Sequence, residues 1–285
     1  MMTKQSLLAG ALAALVVVLA PGAAGAETPG WKRRLYFRGI GVARVTTFED
    51  SREMKLAGVD GPASLAVRNG PIAGSGASVS FPTILAASIG YRLPEVHERL
   101  SLELVVGSAP SLSLFPTAKF RATGTLEKES IAPEALGIPT GVPPLGAELG
   151  QTQALPVILT FPVQLARSGL LRPYVGAGLA IMFTRKEEIT NPILMEVREP
   201  DFSILPAPGV VAQAGLDVKL WKGVYARLDV KFIGLMLARA EVQHIYVRTP
   251  DLPLFESAEV ATAKMSMWVN PLIVQGGVGF DFFGY

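Results

Sequence analysis

Between Ala212 and Phe232 the chain alternates, residue by residue, between apolar and polar side chains on both arms of a short turn. Ala212, Ala214, Leu216, Val218 and Leu220 interleave with Gln213, Gly215, Asp217 and Lys219. Beyond Trp221-Lys222-Gly223, Val224, Ala226, Leu228, Val230 and Phe232 interleave with Tyr225, Arg227, Asp229 and Lys231. A period of two is that of a strand, and two such runs joined by so short a turn make a hairpin with one apolar and one charged face.

The pattern recurs. Leu159, Phe161, Val163 and Leu165 precede a tight turn at Ser168-Gly169, after which Val175, Ala177, Leu179, Ile181 and Phe183 alternate with Tyr174, Gly176, Gly178, Ala180 and Met182. A third hairpin pairs residues 79–93 with 100–106 across Pro94-Glu95-Val96-His97-Glu98. A first strand over about 35–47 and a last over about 265–283 bring the expected count to eight. The turns at 94–98, 168–170 and 221–223 are short, whereas the connections at 48–78, 108–153, 185–208 and 240–263 are long. Outer-membrane barrels show this asymmetry, with short periplasmic turns and long external loops. The segment from Phe115 to Gln151, rich in Pro, Gly, Ala and Thr, is expected to cap the external mouth.

Composition agrees. Of 285 residues, 49% are hydrophobic and 18% charged, against roughly a quarter charged in ordinary soluble domains. So much apolar surface rules out disorder. After residue 26 no run of eighteen apolar residues lacks a charge, Pro or polar break, so spanning helices are not expected. The chain opens with Lys4, an apolar run from Leu7 to Ala20, and the small tripeptide Ala24-Gly25-Ala26. That is the pattern of a secretory leader, too short to span as a helix, expected to be removed after Ala26 and leaving 27–285 as the barrel. Without Lys4 the 26 basic residues become 25 against 24 acidic ones, so no nucleic-acid footprint is expected. There is no cysteine for disulfides, and stability must come from strand pairing and packing.

A soluble lipocalin-like barrel alternates too, with its apolar face turned inward. Strand runs of about ten residues, the length a tilted spanning strand needs, and the loop asymmetry favour the membrane. The fold expected is thus all-β, an eight-stranded antiparallel transmembrane up-and-down barrel in the outer membrane of a Gram-negative cell, surrounded by outer-membrane lipids.

With the charged face inward, the lumen grades along its axis. Near the short turn it carries Tyr225, Arg227, Asp229 and Lys231, and toward the long loop Ile233, Leu235 and Leu237. Ile40 and Val42 follow Arg38 on the first strand, Met182 follows Gly176 and Gly178 on the fifth, and Ile273 and Gln275 stand beyond Asp281 on the eighth. Charges of both signs are expected to pair there, as Asp217 with Arg227 or Asp229 with Lys219, and together with Lys231 to close the periplasmic end ionically. Ile40, Val42, Met182, Ile233, Leu235, Leu237 and Ile273 then line an apolar funnel for a small hydrophobic solute, or pack beneath the loops with no ligand. Eight strands are too few for an open aqueous pore. Pro82, Pro162 and Pro271 would each remove a ladder donor, opening a gap for sideways exit or marking a bulge.

An enzyme is not expected. His97 and His244 fall at opposite ends and have no Ser or Cys partner at recognisable spacing, and His97 is expected to cap a solvated turn. No cofactor or metal-ligand pattern is present, and Gly39-Ile40-Gly41 and Gly176-Ala177-Gly178 open no helix. A plugged barrel that serves structure or adhesion is the main alternative, and a lipid-modifying outer-membrane enzyme a less favoured one.

Several segments also resemble the OmpW family of outer-membrane barrels. They are Leu155-Pro156-Val157-Ile158-Leu159-Thr160-Phe161, Leu171-Arg172-Pro173-Tyr174-Val175-Gly176-Ala177-Gly178-Leu179, Ala214-Gly215-Leu216-Asp217-Val218, Met267-Trp268-Val269-Asn270-Pro271 and Gly277-Val278-Gly279-Phe280-Asp281-Phe282. The resemblance implies a monomeric eight-stranded barrel that lets small, often hydrophobic, molecules across the outer membrane. It also implies insertion by the barrel-assembly machinery, with Phe282 or Tyr285 as the terminal aromatic signal. No site residue is carried over, because the matching segments are barrel wall.

Overall fold

The computed structural model describes residues 34–108, 117–166, 169–252 and 256–281, with the side chains of 38–40, 62 and 106–108 excepted. The expected leader and the terminal aromatics lie outside the described residues. In chain order the strands are β1 (Leu35–Ser51), β2 (Lys55–Ala57), β3 (Gly70–Pro71), β4 (Ser75–Ser80), β5 (Ile84–Arg92), β6 (Ser101–Ser108) and β7 (Thr117–Gly124). They continue with β8 (Gly150–Gln164), β9 (Leu171–Ile189), β10 (Asp201–Leu205), β11 (Ala207–Trp221), β12 (Val224–Gly234), β13 (Leu237–Arg248) and β14 (Ser257–Phe280).

Eight of them form a ring in the order β1-β5-β6-β8-β9-β11-β12-β14, closed by the pairing of β14 with β1. Every ladder is antiparallel, as the short turns require. Closure leaves no free edge in the ring, the condition for burying backbone in hydrocarbon.

The direction of the two faces separates a membrane barrel from a lipocalin. Val175, Leu179, Ile181, Leu228, Phe232, Val274, Val278 and Phe280 are 39% to 62% exposed on the outer wall, while Arg227, Asp229 and Lys231 are at most 5% exposed within the ring. On these strands the apolar face points outward and the ions of β12 lie inside, which suits hydrocarbon and not water; Arg44, exposed beside Val274 on β1, is an exception on the outer wall.

The long connections are less irregular than their composition suggests, because much of them continues the wall above the ring. β4 pairs with β7, β7 with β8, β10 with β13, and β13 with the upper half of β14. The described part of the connection over 108–153 folds inward against the upper strands. Leu126, Ile131, Ala132, Val142, Leu145 and Leu149 are buried there, and Ile131 and Leu149 line a void of about 10 Å³ with Met54, Phe120, Leu194 and Ile245. At the other end, Arg34 pairs with Glu95 of the first short turn. A backbone hydrogen bond within the turn, and Arg34 after it, hold the Glu95 carboxyl below the usual carboxylate range.

Two single-residue bulges break the parity on which the sequence reading relied. In β1 the register slips between Phe37 and Ile40, so that Tyr36 is buried before the slip and Ala43 after it. Between β12 and β13, Leu235 has φ +59° and interrupts what is otherwise one strand, while the Met236 carbonyl accepts from Val269 N at 2.8 Å. The consequences are corrections to the expected funnel. Val42 is 57% exposed on the outer wall, and Leu235 is 68% exposed there. Leu237 stands opposite Trp268, on the face away from the buried Ala238 and Ala240. Ile40 pairs with Val278, but its side chain lies outside the described residues. Pro82 lies in the break between β4 and β5, whereas Pro162 and Pro271 stay in ladders, opposite Gly176 and Thr47.

Candidate functional site

The inward positions of β12 build the site, because alternate residues of one strand project into the ring. Arg227 is its centre. Its guanidinium donates to Glu103 Oε1 at 3.0 Å from β6 on the far wall, to Tyr174 Oη at 2.6 Å from β9, and to Ser88 Oγ at 3.3 Å from β5. It also lies 4.9 Å from the centroid of the Tyr174 ring. Asp229 Oδ2 accepts from Tyr174 Oη at 2.9 Å, Gln213 Nε2 at 2.8 Å and Lys231 Nζ at 2.7 Å, and it also contacts Arg227. Lys231 Nζ lies 3.9 Å from Glu103, and Asp217 is 4.0 Å from Arg227.

The Tyr174 ring fits only because its neighbour is glycine. A Cβ on Gly215, opposite Tyr174 in the β9–β11 ladder, would lie 2.2 Å from the phenol oxygen. Below this layer, Arg92 donates to Asp281 at 2.8 Å, and Arg172 donates to Tyr225 Oη at 2.9 Å with its guanidinium 5.0 Å from that ring's centroid.

Taken together, Glu103, Asp217, Asp229 and Asp281 face Arg92, Arg172, Arg227 and Lys231, four acids against four bases. A buried charge costs several kcal/mol unless it is paired, so equal numbers are what a dry lumen tolerates. A void of about 20 Å³ lies here, between Arg92, Gln164, Arg172, Asp217, Tyr225 and Arg227. This belt leaves little open space across the lumen.

Above the belt the lining turns apolar. Val79, Phe81, Phe120, Met182, Ile204 and Met267 surround a second void of about 20 Å³, with Ala118, Ala154, Ala238, Ala240, Met265 and Val269. That volume holds about one water-sized sphere. The wall beside it is incompletely laddered. The β9–β11 pairing ends at Met182–Ala207, and among the described residues no ladder joins β9 above that point to β10, which pairs with β13. Thr184 Oγ1 crosses this seam to the Ile204 carbonyl at 3.2 Å.

Of the expected funnel residues, Met182, Ile233 and Ile273 are buried inside, and of the expected ionic residues Asp217, Arg227, Asp229 and Lys231 are. Asp217 lies near Arg227 as the alternation suggests. Lys219 does not join them. It is exposed at the end of β11, and the cations on Asp229 are Arg227 and Lys231. Glu103 is the residue that the reading of the sequence missed as a partner. It stands between Leu102 and Leu104, so the rule that charge marks the inner face already turned it into the lumen, but alternation along one strand says nothing of which distant strand it meets. The histidines sit far from the belt. His97 Nδ1 accepts from Arg99 N at 3.2 Å in the first turn, and His244 lies 2.9 Å from Asp201 on the exposed upper wall.

The fold matches that of a known outer-membrane protein. The crystal structure of OprG from Pseudomonas aeruginosa aligns with a TM-score of 0.62 at 16% identity, over 86% of this chain and 94% of that one. AlkL, solved by solid-state NMR in DMPC bilayers, aligns with a TM-score of 0.49 at 18% identity, over 91% of this chain and 95% of AlkL. No curated protein matches the chain by sequence. The OmpW family pattern matches residues 103–282, more than half of the chain and including Glu103, Tyr174, Arg227 and Asp229 of the belt. On that match, with an outer-membrane barrel for its fold, the chain belongs to the OmpW family of the outer membrane.

Proposed function

We propose that this barrel passes small hydrophobic molecules inward from the external face of the outer membrane, entering through the apolar upper half and leaving sideways along the seam between β9 and β10. The observation that carries this reading is the position of the ionic belt beneath the apolar lining. An apolar solute gains nothing by entering a layer of eight charged side chains, so the way out that costs least is through the wall. Met182, Thr184 and Ile204 belong to both the apolar lining and the seam, so lining and exit are continuous. Export with removal of residues 1–26, a monomeric state and a role in passage rather than catalysis are parts of the same proposal.

The void of about 20 Å³ sets a condition. A dry site that accepts benzene is on the order of 150 Å³, so passage requires the upper wall to open transiently. Uptake of a radiolabelled alkane or alkylbenzene by vesicles containing the full chain tests this. Ala240→Phe, which fills the lining, is expected to slow uptake about ten-fold, and Met182→Ala, which enlarges it, to raise uptake. A polar sugar should be excluded in every case. The same small void favours a second reading, a plugged structural barrel, and that reading replaces the first if neither substitution changes uptake in folded protein.

A further inference from the structure

Outside the ring, just above the apolar band, four strands present a grid of outward residues. In one row Leu205 of β10 stands beside Arg239 of β13, which stands beside Ser266 of β14. In the next row Ser203 stands beside Glu241, Glu241 beside Lys264, and Lys264 beside Lys55 of β2. Arg52 completes the first row, its backbone N donating to the Ser266 carbonyl at 3.0 Å. These residues, with Glu53, line an open groove of about 310 Å³, many times larger than the voids inside the barrel.

The groove holds four cations and two acids, and both acids are engaged. Glu53 accepts from Gly74 N at 2.9 Å, and Glu241 lies 3.5 Å from Lys264. Arg52, Lys55 and Arg239 are exposed and have no acidic partner among the described residues. Lys55 and Lys264 stand directly opposite in one ladder, an arrangement that destabilises a sheet unless an anion lies between.

Height fixes the kind of anion. Trp268 faces Leu237 two residues below the Arg239–Ser266 row, or roughly 7 Å along the strand. Below Trp268 the outward positions of β14 are Asn270 and then Leu272, Val274, Val278 and Phe280, with Phe232 and Leu235 outward on one side and Asp50 and Phe48 outward on the other. A half-buried Trp between a basic row and an apolar band is the signature of a headgroup boundary.

We propose that the groove binds the phosphorylated headgroup of an outer-leaflet lipid, with Arg52, Lys55 and Arg239 on the phosphate and the acyl chains lying along Leu205, Leu235, Leu237 and Trp268. The three free cations complement the phosphate charge, and the apolar band begins where acyl chains must. This site is on the outer wall and is independent of whether the lumen carries a solute.

Native mass spectrometry of the full chain in neutral detergent, titrated with diphosphorylated lipid A, tests the assignment. Binding is expected to weaken on the order of 100-fold in Arg52→Gln/Lys55→Gln/Arg239→Gln, since each basic residue near a charged membrane surface contributes several-fold. The single variants Lys55→Gln and Arg239→Gln, each expected to weaken binding about 5-fold, carry the test if the triple variant does not fold. Dephosphorylated lipid should bind far more weakly than the diphosphorylated form. Equal binding of the two lipids, unchanged binding in folded variants, or displacement by inorganic phosphate at the concentration of the lipid itself would each overturn the proposal, the last by showing a free-anion site.

Discussion

Arg227 meets three carboxylates, a phenol and a serine hydroxyl, and it reaches the far wall of the ring through Glu103. Removing one member of such a cluster leaves the others charged and without compensation. Arg227→Met is therefore expected to destabilise the folded barrel by about 3–5 kcal/mol, measured as the urea dependence of the heat-modifiable shift in gel mobility. The double variant Glu103→Gln/Arg227→Met should recover part of that loss, because the buried acid left behind by the single substitution is neutralised with it. A double variant no more stable than the single would show that Glu103 and Arg227 are not coupled. Lys231 makes the weaker cross-lumen approach, at 3.9 Å from Glu103, so its primary partner is Asp229 at 2.7 Å.

At the scale of the element, alternation made the hairpins, the inward charges of β12 and the order of short and long connections legible in the sequence, because a period of two is a local property. A bulge is not local in that sense. Leu235 adds one residue to a strand that would otherwise alternate, and nothing in Gly234-Leu235-Met236-Leu237 distinguishes the extra residue from its neighbours. Its effect is to turn Leu235 and Leu237 toward lipid and to make Met236, Ala238 and Ala240 the lining. The slip in β1 does the same to Val42. Cross-lumen pairing was illegible for a related reason, since Glu103 and Arg227 are 124 residues apart and meet only through ring closure. Deletion makes the distinction measurable. Removing Leu235 restores regular alternation and keeps Met236, Ala238 and Ala240 inward, so the barrel should still fold. Removing Val230 from unbulged β12 turns Lys231 outward, where a cation facing the bilayer midplane costs about 2–4 kcal/mol, and Ile233 leaves the lining with it. Folding into vesicles, followed by protease protection, should survive the first deletion and fail in the second. Equal behaviour would mean that Leu235 is not the inserted residue.

The whole molecule solves two problems with one partition. A ring of eight strands has too little room for a water-filled channel, yet its inner face carries charges that must be satisfied. Placing four acids and four bases in a single belt balances their charge within one half of the lumen, and it leaves the upper half free to be apolar. On the proposed route, sealing against ions and admitting apolar molecules are compatible, since the belt lies across the axis while the lining and the β9–β10 seam lie above it. This separation has an electrical consequence. The unmodified barrel in a planar bilayer should show no salt conductance above the lipid background, because any ion must displace paired groups from a belt whose described void is about 20 Å³. Glu103→Ala/Arg227→Ala removes the pair that spans the lumen and leaves Asp217, Asp229 and Lys231 to line a wetted gap. Steady conductance should appear in that variant, while uptake of hydrophobic solute, which bypasses the belt, should change little. Conductance in the unmodified protein would remove the seal, and loss of uptake together with gain of conductance would place the solute's route through the belt rather than through the wall.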